Sequence, residues 1–113
     1  MIDSKYVIWF KPSKWSAKKL IASLRRDLKN RVEKAYLIGS HAIDSATEDS
    51  DIDLILVHET KTSWPDRGRT FFDLIDKYGP MDLLVYTPKE WERLKKDPSD
   101  LILHAKKHWK KII

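Results

Sequence analysis

Apolar and polar positions fall in blocks along this chain, and their spacing switches between helical and extended periods. The first block, Tyr-Val-Ile-Trp-Phe at 6–10, has high strand propensity and is stopped by Pro12. It reads as an edge strand or a packed N-terminal arm. Trp15, Ala17, Leu20, Ile21, Leu24 and Leu28 then recur at helical spacing. Lys18, Lys19, Arg25, Arg26, Asp27 and Lys29 lie mostly on the other side. Ser13 or Ser16 can cap this helix, and Asn30 can end it. Ala35 to Ile38 form a brief strand that runs into Gly39-Ser40. The polar residues Asp44 to Ser50 suit a short helical turn and loop.

A second strand, 52–57, is aliphatic throughout apart from Asp53. The chain from His58 to Pro65 is polar and irregular, and Asp66 is placed to cap a helix over 66–78. That helix carries Phe71, Phe72, Leu74, Ile75 and Tyr78, and Gly79-Pro80 breaks it. Met81 to Tyr86 make a third strand, after which Thr87-Pro88 opens a helix holding Trp91 and Leu94. Beyond Asp97-Pro98-Ser99, the spacing predicts a last helix over 100–112 with Leu101, Ala105, His108 or Trp109, and Ile112 on its apolar side. The order α, β, β, α, β, α predicts an α/β (α+β) fold, a small mixed β-sheet with helices packed on it. The 66–78 helix has the length of a crossover, so strands 52–57 and 81–86 are expected parallel and adjacent.

Composition narrows the class. The 113 residues suit one domain, 1–113, with a single core. A 42% hydrophobic and 35% charged make-up is that of an ordinary globular chain. The chain has no cysteine, which excludes disulfides and thiolate metal sites. No apolar run approaches the roughly 20 residues of a membrane span, and no leader pattern opens the sequence, so the expected location is cytoplasmic. The net charge of +5 favours an anionic partner such as a nucleotide, RNA or an acidic protein face.

The chemistry concentrates in Leu37–Val57. Asp51 and Asp53 are two apart at a strand start, so their side chains share a face. Two carboxylates there repel unless a cation lies between them, and oxygen-only donors point to Mg²⁺ or Mn²⁺. Asp82 opens the expected neighbouring strand, so three carboxylates meet at one sheet edge. Such a cluster can hold two metal ions about 3.5–4 Å apart. Gly39 lets the backbone approach a phosphate, and the amides after it can supply an anion site.

Gly-Ser-x-Ala at 39–42, Ser-Asp-Ile-Asp-Leu at 50–54 and Met-Asp-Leu-Leu-Val-Tyr-Thr-Pro at 81–88 resemble the minimal nucleotidyltransferase family of the DNA polymerase beta superfamily. The resemblance spans roughly residues 20–95. It implies that Asp51 and Asp53 bind two Mg²⁺ ions, and that Asp82 binds the catalytic metal and deprotonates the acceptor hydroxyl. It implies that Gly39 and Ser40 hold the β- and γ-phosphates of a nucleoside triphosphate. Members are often small antitoxins paired with helical HEPN-type toxins, and some add AMP from ATP to a tyrosine of the partner. The chain has no room for a separate substrate domain, which fits that paired type. His41 stands where the family usually has Arg, and Asp44 where it usually has Gly.

The expected activity is therefore Mg²⁺-dependent transfer of a nucleoside monophosphate to a hydroxyl on a partner protein. The rival is a non-catalytic antitoxin or interaction module with the same fold. An RNA-binding domain ranks last, because the aromatic residues read as core, and nucleic acid is not an expected partner. His41 reads as a local hydrogen-bonding residue, and Arg67 and Arg69 as a solvated loop. His104 and His108 have the spacing of a zinc pair but no third ligand, so they read as a surface helix. Lys106, Lys107, Lys110 and Lys111 read as its solvated face. Trp109 and Ile112-Ile113 are the candidates for a partner or homo-oligomer contact.

Overall fold

The computed structural model of the protein describes residues 11–113. The strand expected at 6–10 lies outside the described residues. Helix α1, Ala17–Leu28, begins where Ser16 Oγ accepts a hydrogen bond from the Lys19 amide. Its Leu20, Leu24 and Leu28 are fully buried at helical spacing. The helix is capped at Lys29, and Asn30 then turns left-handed at φ 65°, which ends it as the sequence predicts. Strand β1, Lys34–Ile38, runs directly into α2, Gly39–Ala42, a single helical turn. The turn expected at 44–50 thus comes earlier, and 43–51 is loop.

Strand β2 is Ile52–Val57 and strand β3 is Met81–Tyr86. Between them the expected 66–78 helix is present only in its second half, as α3, Phe72–Tyr78. Its first half is a 3₁₀ helix, Trp64–Phe71, entered after Ser63 rather than capped by Asp66. Pro65 lacks a donor and Gly68 is a poor interior residue for an α-helix, so this segment has little local drive to the wider helix. Helix α4, Pro88–Lys96, opens on a capping box of Thr87 and Glu90, as Thr-Pro predicts.

Helix α5 spans Asp100–Lys106, not 100–112. After it the chain turns back and lays a short strand, β4, Lys110–Lys111, against β1. The expectation that Ile112 faces a partner is overturned by this return, while Trp109 and Ile113 are half-buried against the sheet. Ile112 is 2% exposed in the core, and its amide donates to Ala35 O at 2.8 Å. Trp109 stacks on Tyr36 at 4.5 Å between ring centroids. Cross-strand hydrogen bonds and apolar burial outweigh the weak helical signal of a Lys-rich tail.

The sheet runs β3-β2-β1-β4. β2 and β3 are parallel neighbours, as expected, while β1 is antiparallel to β2 and to β4. Alternate residues of β2 feed two cores. Ile52, Leu54 and Leu56 pack with α1 and α3 on one face, while Ile55 and Val57 pack with Trp91 of α4 and Ile102 of α5 on the other. Helices therefore cover both faces of the sheet, an α/β fold with a mixed sheet. Among the described residues no helix is long and apolar enough to cross a membrane.

Candidate active site

The sheet register brings the sequence-predicted residues to one edge. Ile38 is opposite Asp53, so Gly39, the next residue, folds over the Asp53 side chain. On the other flank Asp53 is in register with Asp82 of the parallel strand. Asp51 lies just before β2, two residues from Asp53. Gly39 adopts φ +71°, and a Cβ added there would overlap the Asp53 carboxylate, with Asp53 Cγ only 3.3 Å away. Both facts require glycine at this position.

Asp53 is partly buried, whereas Asp51 and Asp82 are exposed. Burial first, then the charges of Asp82 and Asp51, push the Asp53 carboxyl above its ordinary pKa. This is excess negative charge on an all-oxygen donor set, which suits a hard divalent cation. Among the described residues, however, no three His, Asp or Glu side chains are gathered closely enough to hold a metal ion. The cluster is an open edge rather than a closed cage.

The two departures from the resembled pattern, His41 and Asp44, both have structural work. His41 is 2% exposed. Its Nδ1 lies 3.2 Å from Asp51 O, and its Nε2 lies 3.2 Å from Ser13 Oγ. A carbonyl only accepts, so Nδ1 carries the proton and Nε2 accepts from the serine hydroxyl. Burial lowers the His41 pKa, which keeps the ring neutral near pH 7. It is a local hydrogen-bonding residue, as expected, and it pins the backbone of Asp51.

Asp44 takes φ 55°, a left-handed conformation natural to glycine and tolerated by aspartate. Its Oδ1 accepts from the Ala17 amide at 2.7 Å, so the added charge caps the start of α1. Among the described residues the Ser40 hydroxyl has no hydrogen-bond partner, while its carbonyl accepts from the Ser45 amide at 3.0 Å. Because α2 is one turn long, it brings no macrodipole, and any anion contact here is through local N–H and O–H groups.

Arg67 is not in a solvated loop. Its guanidinium donates to Val85 O at 3.1 Å and to Glu90 Oε1 at 2.5 Å, and its Nε donates to Thr62 O at 2.9 Å. With the side chain 11% exposed, it clamps the 3₁₀ helix to β3 and α4. Arg69 is solvated as expected, at 74% exposure. A cavity of about 300 Å³ beside Asp82 is lined by Trp64, Phe72, Ile75 and Met81. A second, of about 280 Å³, joins Gly39 and Ser40 to His104 and His108. The i, i+4 spacing marks these histidines in the sequence, but only the end of α5 at Lys106 and the turn after it bring both beside Gly39 and Ser40. Ser13, a candidate helix cap by sequence, instead anchors His41, and Ser16 is the cap.

The model of the nucleotidyltransferase domain family matches residues 17–113. No curated protein matches the sequence. A crystal structure of a candidate nucleotidyltransferase from Sulfolobus solfataricus is similar over 68% of this chain and 69% of that one, at 25% identity and a TM-score of 0.45. With the match extending from the first residue of α1 to the end of the chain, this protein belongs to the nucleotidyltransferase domain family.

Proposed function

We propose that this chain transfers AMP from ATP to a hydroxyl group on a partner protein, as the antitoxin member of a pair with a helical HEPN-type toxin. In this reading Asp51, Asp53 and Asp82 hold Mg²⁺ or Mn²⁺, and Gly39 and Ser40 hold the triphosphate. The observation that carries it is the register of Asp53 with Asp82 beneath Gly39. Bound cations would offset the carboxylate repulsion and the charge that develops on the phosphates. The exposed side chains of Asp51 and Asp82 have room to turn toward a shared ion.

The acceptor oxygen bonds to the α-phosphorus while the bond from that phosphorus to the bridging oxygen breaks. Its electron pair leaves with pyrophosphate, and the hydroxyl proton passes to the Asp82 carboxylate. Positioning supplies much of the acceleration.

One observation favours a non-catalytic interaction module. His41 is neutral, buried and occupied, so position 41 offers no fixed cation to a phosphate. Calorimetry with ATP and Mg²⁺ separates the two. The enzyme reading requires binding that weakens in Asp51→Asn, followed by labelling of a co-expressed partner from α-labelled ATP. Absence of binding in the wild type leaves the interaction module.

A further inference from the structure

The Gly39-Ser40 cavity has a second wall that comes from the far end of the chain. Leu37 of β1 pairs with Lys110 of β4 in antiparallel register. His108, two residues before Lys110, lines the same cavity as Gly39 and Ser40. His104 lies in the last turn of α5, and the turn between it and β4 is fixed by Lys107 N to His104 O at 3.3 Å and His108 N to Ala105 O at 3.1 Å. Trp109, stacked on Tyr36, anchors the next residue to the sheet. Both histidines line the Gly39-Ser40 cavity, held by this turn and by the stacked Trp109.

The cavity's polar lining is Ser40, Ser45, His104 and His108, with the backbone of Gly39 and no carboxylate. Four exposed lysines, Lys106, Lys107, Lys110 and Lys111, follow in the same segment. Donors and positive charge without an acidic side chain favour an anion. We infer that His104 and His108 bind the β- and γ-phosphoryl oxygens of the nucleotide and retain them as pyrophosphate leaves. The inference rests on the nucleotidyltransferase reading above. The imidazoles donate hydrogen bonds to a group whose bond to the α-phosphorus is breaking, and they transfer no proton to it.

The test uses the full chain with Mg²⁺, titrated with ATP, with AMP and with inorganic tripolyphosphate. Calorimetry compares the wild type with His104→Ala/His108→Ala and with His104→Gln/His108→Gln, which keeps a donor. ¹⁵N NMR follows the wild-type imidazoles. The alanine pair should weaken ATP and tripolyphosphate binding by about tenfold or more, the worth of one charge-assisted hydrogen bond. AMP binding should be unchanged, and glutamine should recover part of the loss. Both imidazoles should shift with ATP and tripolyphosphate but not with AMP. Equal ATP binding by the wild type and the alanine pair, or imidazoles unmoved by bound ATP, overturns the inference and leaves the nucleotidyltransferase reading intact. A wild type that binds neither ATP nor tripolyphosphate overturns both. Should the alanine pair fail to fold, the wild-type imidazole shifts decide.

Discussion

Along β2, Leu54, Ile55, Leu56 and Val57 are each exposed by 1% or less, while Asp53, one residue earlier, stands partly exposed between two other carboxylates. The back of the strand is built for stability. Its residues fill both cores, and each contributes roughly 1.5–3 kcal/mol by leaving water. The front is built against stability, with a carboxyl held above its ordinary pKa by burial and by two neighbouring carboxylates. A few ångströms separate them on one continuous ladder. The difference teaches that the front's local costs have no structural return, and the proposed chemistry is what they serve.

The largest effect tests the front. Asp53→Asn should cut nucleotidyl transfer by roughly 10²–10³-fold, the usual cost of losing one preorganised electrostatic group. In the metal-free protein the same change should raise the melting temperature at neutral pH. The folded carboxyl binds its proton more tightly than the unfolded one, so wild-type stability falls as pH rises from the ordinary value of 3.8 through the raised folded value. Asn removes that loss. A variant that melts lower at pH 7 would make Asp53 a structural residue and erase the contrast.

The back half gives the mirror image. Leu56→Ala should cost about 3 kcal/mol in denaturant unfolding, because it leaves a cavity in the packed core. The protein that stays folded should bind ATP as the wild type does. A changed Kd with intact stability would show that the two ends of β2 are not separable.

How much of this the sequence disclosed depends on where the signal was local. Asp51, Asp53 and Asp82 were legible, because strand period and crossover length are read from neighbouring residues. The cap at Thr87 and the stop at Asn30 were legible for the same reason. The return of the chain at 107–113 was not, since pairing of Lys110 with Leu37 depends on residues more than 70 positions apart. Tyr36, half-buried against Trp91 and Trp109, supports that pairing through ring packing. In the sequence Asp44 and His41 are only departures from the resembled pattern. Their long-range partners, Ala17 and Ser13, show them to be a cap and a strut.

Gly39→Ala probes the contact between the two flanks of the site. The left-handed backbone alone should cost about 1–2 kcal/mol. The new methyl group must also displace the Asp53 carboxylate, so activity should fall with stability. Steady-state kinetics on Gly39→Ala/Asp53→Asn should show a loss smaller than the sum of the single changes, since the two side chains meet at one contact. Additive losses would mean that Gly39 acts on phosphate alone and owes nothing to Asp53.

The smallest effect concerns the strut beneath Asp51. His41 is buried and neutral, and burial lowers its folded pKa below the ordinary 6.5. The unfolded chain therefore binds a proton that the folded chain refuses, and stability must fall as pH drops below 6.5. The slope is at most about 1.4 kcal/mol per pH unit for one proton. Asn at this position can keep the donor to Asp51 O but cannot titrate, so His41→Asn should flatten that part of the metal-free stability curve. Because the strut meets Asp51 at its backbone and not at its carboxylate, ATP affinity at pH 7.5 should change little. A large loss of ATP affinity with an unchanged stability curve would place the histidine in the phosphate site after all, and move the functional edge one layer deeper into the fold.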